Sequence, residues 1–134
     1  MPVVDASVIA AVILREEGWE KLIRGLKNAI TLDQAFKEVS NAIWKAFRRG
    51  YLSRDEAVKA FNLLKSFMEV LDVRNEVEYM DEAFKISLET GLTIYDSLYL
   101  ALARSEKKQL LTLDEGQKTA AEKLNIPIAW IEEG

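Results

Sequence analysis

The chain has 134 residues, 49% of them hydrophobic and 30% charged, with a formal net charge of −4. This suits one domain spanning residues 1–134, with apolar material for a core and no global attraction to nucleic acid. There is no cysteine and no histidine. Their absence excludes thiolate–imidazole zinc sites, Cys–His and Ser–His nucleophiles and an imidazole general base, and leaves carboxylates, hydroxyls, amines or an oxygen-held metal.

The first stretch, MPVVDASVIAAVIL, is apolar but has no basic leader, carries Asp5 and runs into Arg15-Glu16-Glu17. It reads as neither a signal peptide nor a span of about 20 residues. With no disulfides, the expectation is a soluble, cytoplasmic protein with no membrane association. Pro2 to Val4 predict a short buried strand, Ala6 to about Leu14 a helix, Trp19 to Leu26 a second helix, and Ala29 to Thr31 a strand. Asp33 suits the cap of a long helix from Gln34 to Arg49, ended by Gly50, with Phe36, Val39, Ile43 and Phe47 as its apolar stripe. Ser53-Arg54-Asp55-Glu56 is a capping box for a helix to about Met68.

Val70 to Val73 predict a strand, and Asn75 to Thr90 a helix stopped by Gly91. Thr93 opens the apolar helix IYDSLYLALARSE. Gln109 to Thr112 predict a strand, Glu115 to Leu124 a helix, and Ile126 to Trp130 a last strand. Short apolar runs alternating with helices imply parallel βαβ units and an α/β sandwich. Such a sheet binds ligands at the carboxyl ends of its strands.

Two acids fall there. Asp5 follows the first strand and is the only charge among positions 1–14; Asp114 directly ends LLTL. Asp96 is the only charge between Gly91 and Ala103. A charge in apolar surroundings costs several kcal/mol unless something pairs with it. Each acid also has a plainer reading. Asp5 and Asp114 suit helix caps, and Asp96 suits a box with Thr93. Glu38, with Asn41 and Lys45, suits either a solvated face or a face turned to the carboxyl edge. No basic residue adjoins Asp5, Asp96 or Asp114 in sequence, so convergence calls for a hard divalent cation, Mg2+ or Mn2+.

VVDASVIAAVIL, AFKEVSNAIWKAFRRG, GLTIYDSLYLALA and LLTLDEGQ resemble, in that order, the motifs of PIN domains, above all VapC-type toxins of toxin–antitoxin pairs. The likeness runs from Pro2 to about Ile128. It implies a three-layer sandwich with a central, mainly parallel sheet flanked by helices, and a Mg2+- or Mn2+-dependent endoribonuclease. It assigns Asp5, Glu38, Asp96 and Asp114 as the metal-holding catalytic acids and Ser7 as a hydroxyl near the metal. Asn41 and Glu115 would be auxiliary polar groups. TLDQAFKE departs from the family, where a proline-containing turn often precedes the acid, and Asp33 there bears on where the helix starts.

The implied partners are an RNA substrate, a cognate antitoxin and a second copy of the chain in a homodimer or higher homo-oligomer. Lys45, Arg48, Arg49 and Arg54, with Arg15, suit contacts to flanking phosphates or a solvated helix end. Trp19, Trp44, Tyr51, Phe61, Phe67 and Tyr99 suit an interface or the core. A phosphoacceptor receiver would want adjacent acids after the first strand, and a haloacid-dehalogenase-like phosphatase would want Asp-x-Asp where Ser7 stands. A non-catalytic PIN-fold module binding RNA or protein is the alternative.

Overall fold

Val3 and Val4 are β-branched and fully buried, which suits a strand covered on both faces. The computed structural model describes residues 1–129. In it these valines form β1 (Val3–Val4), the inner strand of a parallel sheet with β2 (Ile30–Leu32), β3 (Asp72–Arg74) and β4 (Leu110–Leu111). The strand order is β3-β2-β1-β4, and every pairing is parallel. The chain leaves β1 toward β2 on one side and returns to its other side as β4. A switch in strand direction of this kind opens a crevice at the carboxyl ends of the strands.

The flanking helices among the described residues are α1 (Ala6–Ile13), α2 (Trp19–Gly25), α3 (Gln34–Arg48), α4 (Arg54–Val70), α5 (Met80–Thr90), α6 (Ile94–Glu106) and α7 (Glu115–Lys123). Helix α6 is the most buried, with every residue from Ser97 to Ala103 inside. Gly25, at the end of α2, lies so close to β4 that an added Cβ would stand 2.6 Å from Leu111 Cδ2. The Ser53 capping box is present: Ser53 Oγ accepts from Glu56 N, and a Glu56 carboxylate oxygen accepts from Ser53 N. Gly91 ends α5 in the left-handed conformation at φ 79°, where glycine carries no Cβ penalty.

Several expectations need correction. Asp33 does not cap α3: its own backbone is helical, and its Oδ1 accepts instead from Glu76 N at 3.0 Å. The expected Asn75–Thr90 helix begins as a 3-10 turn, Glu76–Tyr79, before α5. The expected last strand reduces to a single parallel bridge between Ile128 and Leu110, and Trp130 lies outside the described residues. Tyr99 is 1% exposed and belongs to the core, not to an interface. Trp44, Tyr51 and Phe61 are exposed, whereas Trp19 and Phe67 are half-buried. Phe36 packs against the main core and meets Phe61 of α4 edge-on with centroids 5.5 Å apart, whereas Phe47 is exposed. Between α3 and α4 runs an apolar groove of about 450 Å3, lined by Trp44, Phe47, Val58 and Phe61 among others.

Candidate active site

Asp5 stands where β1 gives way to α1. Its Oδ1 caps that helix, accepting from Val8 N at 3.3 Å. A cap alone would leave the carboxylate in water, yet Asp5 is 2% exposed. Ser7 Oγ donates to Oδ1 at 2.6 Å, Thr112 Oγ1 to Oδ2 at 2.6 Å, and Gln117 Nε2 to Oδ2 at 3.0 Å. Burial pushes its pKa up to about 6 against the pull of these donors, and the charge on Asp114 pushes the same way.

Asp114 follows β4 and caps α7, its Oδ2 accepting from Gln117 N at 2.8 Å. The two strand ends are tied together. Asp5 N donates to Leu111 O at 3.4 Å, Asp114 N to Thr112 Oγ1 at 3.0 Å, and Leu113 N to Ser7 Oγ at 3.0 Å. Asp96 lies in the first turn of α6, where its N donates to Thr93 Oγ1 at 3.3 Å. Its Oδ1 accepts from Gln117 Nε2 at 3.2 Å. Burial raises the Asp96 pKa, and Asp114 repels it further.

Glu38 extends from the second turn of α3. Its Oε1 accepts from Gln34 Nε2 at 2.8 Å and from the Tyr99 hydroxyl at 3.3 Å. Gln34 Nε2 also donates to Tyr95 O at 2.9 Å, which fastens α3 to α6. Burial lifts Glu38 to about 7, and the charges on Asp5 and Asp96 add to the rise. The Tyr99 hydroxyl is pushed well above its usual value by its own burial and then by Glu38, so it remains a donor.

The four acids predicted from sequence thus come from four separate elements toward one edge of the sheet, where Asp5, Glu38 and Asp96 each feel the charge of another of the four. Ser7 joins them. Asn41 and Glu115 do not: both are exposed, and Glu115 pairs with Lys118 at 3.3 Å. Arg15, Lys45, Arg48, Arg49 and Arg54 are all exposed. Arg15 rests over the Trp19 ring and Arg48 over Trp44. Sequence reading missed Thr112, Gln34, Tyr99 and Gln117. Their signal was spacing from the acids: Thr112 two residues before Asp114, Gln117 three after it, and Gln34 four before Glu38. Tyr99, three after Asp96, was legible only as an aromatic in an apolar helix.

The donor chemistry suits a hard cation. The site offers carboxylates, hydroxyls and amides, and no ion pair among the described residues involves Asp5, Glu38, Asp96 or Asp114. As the side chains stand, no three acids among the described residues lie close enough to hold one ion. The Gln117 nitrogen occupies the gap between Asp5 and Asp96.

A family model described as PIN domain matches residues 3–123. The chain is 44% identical over 115 residues to Ribonuclease VapC3 of Pyrobaculum aerophilum, covering 84% of this chain and 88% of that protein. It is 32% identical over 117 residues to Exonuclease VapC9 of the same organism, covering 85% and 83%. The crystal structure of PAE2754, also from Pyrobaculum aerophilum, superposes with a TM-score of 0.71 at 29% identity, covering 90% of this chain and 87% of that one.

Proposed function

The chain belongs to the PIN domain family, and on that footing we propose that it is a Mg2+- or Mn2+-dependent endoribonuclease, the toxin component of a toxin–antitoxin pair. One observation carries this reading. Four acids converge at a strand-switch crevice, three of them, Asp5, Glu38 and Asp96, buried enough to raise their pKa values, with no ion-paired basic side chain among the described residues to neutralise any of the four. The VapC relatives named as nucleases support it.

Asp5, Asp96 and Asp114, with Glu38, would hold the cation. A bound Mg2+ or Mn2+ supplies a water of lowered pKa and offsets charge on the scissile phosphate. Ser7 and Thr112 fix the orientation of Asp5 by donating one hydroxyl to each of its oxygens. Gln34 and Tyr99 hold Glu38 by Oε1, which leaves Oε2 to join the aspartates in holding the cation. Arg48, Arg49, Lys45, Arg54 and Arg15 provide local positive charge for phosphates on a chain that is acidic overall.

The test is RNA cleavage by the purified protein with and without EDTA, and by Asp5→Asn and Asp96→Asn. Loss of cleavage in EDTA and in both variants is expected, and full activity in either variant would reject the assignment. The position of the cuts in an end-blocked RNA separates internal cleavage from trimming, the activity that the name of VapC9 implies for that protein. A non-catalytic module of the same fold is favoured by the spacing of the acids, none of which shares an ion with two others as they stand. Metal titration separates the two, because a module without catalysis has no need of the ion.

On the same reading the chain pairs with an antitoxin and with a second copy of itself. The exposed aromatic area of Trp44, Tyr51 and Phe61 supports both. Light scattering on the isolated protein reads the second directly.

A further inference from the structure

Gln117 lies in the first turn of α7 and is 2% exposed. Its Nε2 donates to Asp5 Oδ2 at 3.0 Å and to Asp96 Oδ1 at 3.2 Å. Both amide hydrogens are therefore spent on two carboxylates from different elements. Its Oε1 is buried and has no hydrogen-bond partner among the described residues. Turning the amide over would relieve nothing, because Oε1 would then face two carboxylates. A buried carbonyl left without a donor is unfavourable. The side chain is thus held in place by its nitrogen alone, against the preference of its oxygen.

Mg2+ binds oxygens at about 2.0–2.1 Å, closer than the 3.0 and 3.2 Å at which Nε2 stands from Asp5 Oδ2 and Asp96 Oδ1, so a cation held by those two oxygens would compete with the amide nitrogen for them. We propose that Gln117 is the placeholder of the dication site: its amide bridges Asp5 and Asp96 and would withdraw where a cation takes those oxygens. The inference rests on the metal-site reading above. It makes Gln117 a positioning residue that keeps two repelling carboxylates aligned until the ion arrives.

The experiment uses the full chain and two probes, MgCl2 and MnCl2, without RNA. Gln117→Met keeps the length of the side chain and removes its donors. The variant is expected to melt at lower temperature than wild type in EDTA and to recover toward wild type at saturating Mg2+. Its Mn2+ affinity by titration calorimetry is expected to tighten by about tenfold, the factor for releasing a hydrogen bond to a charged group. Weaker binding would make the Gln117 carbonyl a ligand and overturn the proposal. Unchanged affinity, with an equal loss of melting temperature with and without the ion, would make Gln117 a filler and overturn it too.

A wild-type measurement stands independently of how the variant folds. The Gln117 side-chain amide protons are expected to be protected from exchange in EDTA and to lose that protection on Mg2+ titration; protection that persists at saturation overturns the proposal. If wild type binds no ion at all, the metal-site reading falls and this inference with it. If wild type binds and only the Gln117 readouts stay flat, this inference falls alone.

Discussion

In EDTA this protein should grow less stable as the pH rises from about 4 to about 7, the reverse of an ordinary acid-labile domain. The ordinary values for the Asp5 and Glu38 carboxyls are 3.8 and 4.5, and the fold lifts them to about 6 and about 7. Over that window the folded chain binds more protons than the unfolded chain. The slope of stability with pH is therefore negative, and the penalty is complete above the folded values. A rise from 3.8 to about 6 at buried Asp5 corresponds to about 3 kcal/mol. Glu38 adds in the same direction but counts for less, because solvent screens it. Asp72 and Glu56 have lowered values and pull the other way, but their effect is spent by about pH 4.5. At about 3–4 °C per kcal/mol for a chain of this size, the melting temperature in EDTA should fall by about 10 °C between pH 4 and pH 8. Calorimetry across that range is the assay. Saturating Mg2+ should flatten or invert the slope, because the ion competes with protons for the same oxygens. A melting temperature in EDTA that stays level or rises from pH 5 to pH 8 would refute the burial argument for these acids.

Tyr99→Phe removes a donor to Glu38; the Glu38 carboxyl should titrate higher by NMR and stability should fall by about 1 kcal/mol, whereas an unmoved titration would deny the hydrogen bond. Gly25→Ala places a methyl 2.6 Å from Leu111 Cδ2, and the overpacking should lower stability by about 1–3 kcal/mol; a wild-type melting curve would show that α2 can shift freely. The double reversal Arg48→Glu with Arg49→Glu should weaken RNA binding and make its salt dependence shallower, by about 0.7 in log–log slope for each phosphate no longer neutralised. Unchanged affinity and slope would return these arginines to the role of a solvated helix end.

The sequence made the helices and the identity of the acids legible because both are local matters. Ser53 and Glu56 form their capping box from residues three apart, and the spacing alone reveals it. Asp33 looked equally like a cap, but a backbone amide 43 residues away takes its carboxylate. Long-range competition of that kind leaves no trace in local spacing. Asp5 and Asp114 show a different limit. The plainer reading of each as a helix cap is correct and does not exclude a shared site, because a carboxylate has two oxygens and the cap occupies one. The supporting groups stayed hidden for a further reason. Gln34, Thr112 and Gln117 are polar residues of ordinary helices and strand ends; the pairing of β1 with β4 brings Thr112 and Gln117 to Asp5, and the packing of α3 against α6 brings Gln34 to Tyr95 O.

That pairing ties the first strand to the last. Thr112 grips Asp5 across 107 positions of chain, and Gln117 reaches it across 112. No fragment emerging from a ribosome can assemble the pocket before residue 117 has been made. On the proposed function, cleavage would be absent up to that point of synthesis, and the messenger being read would be spared by chain connectivity alone.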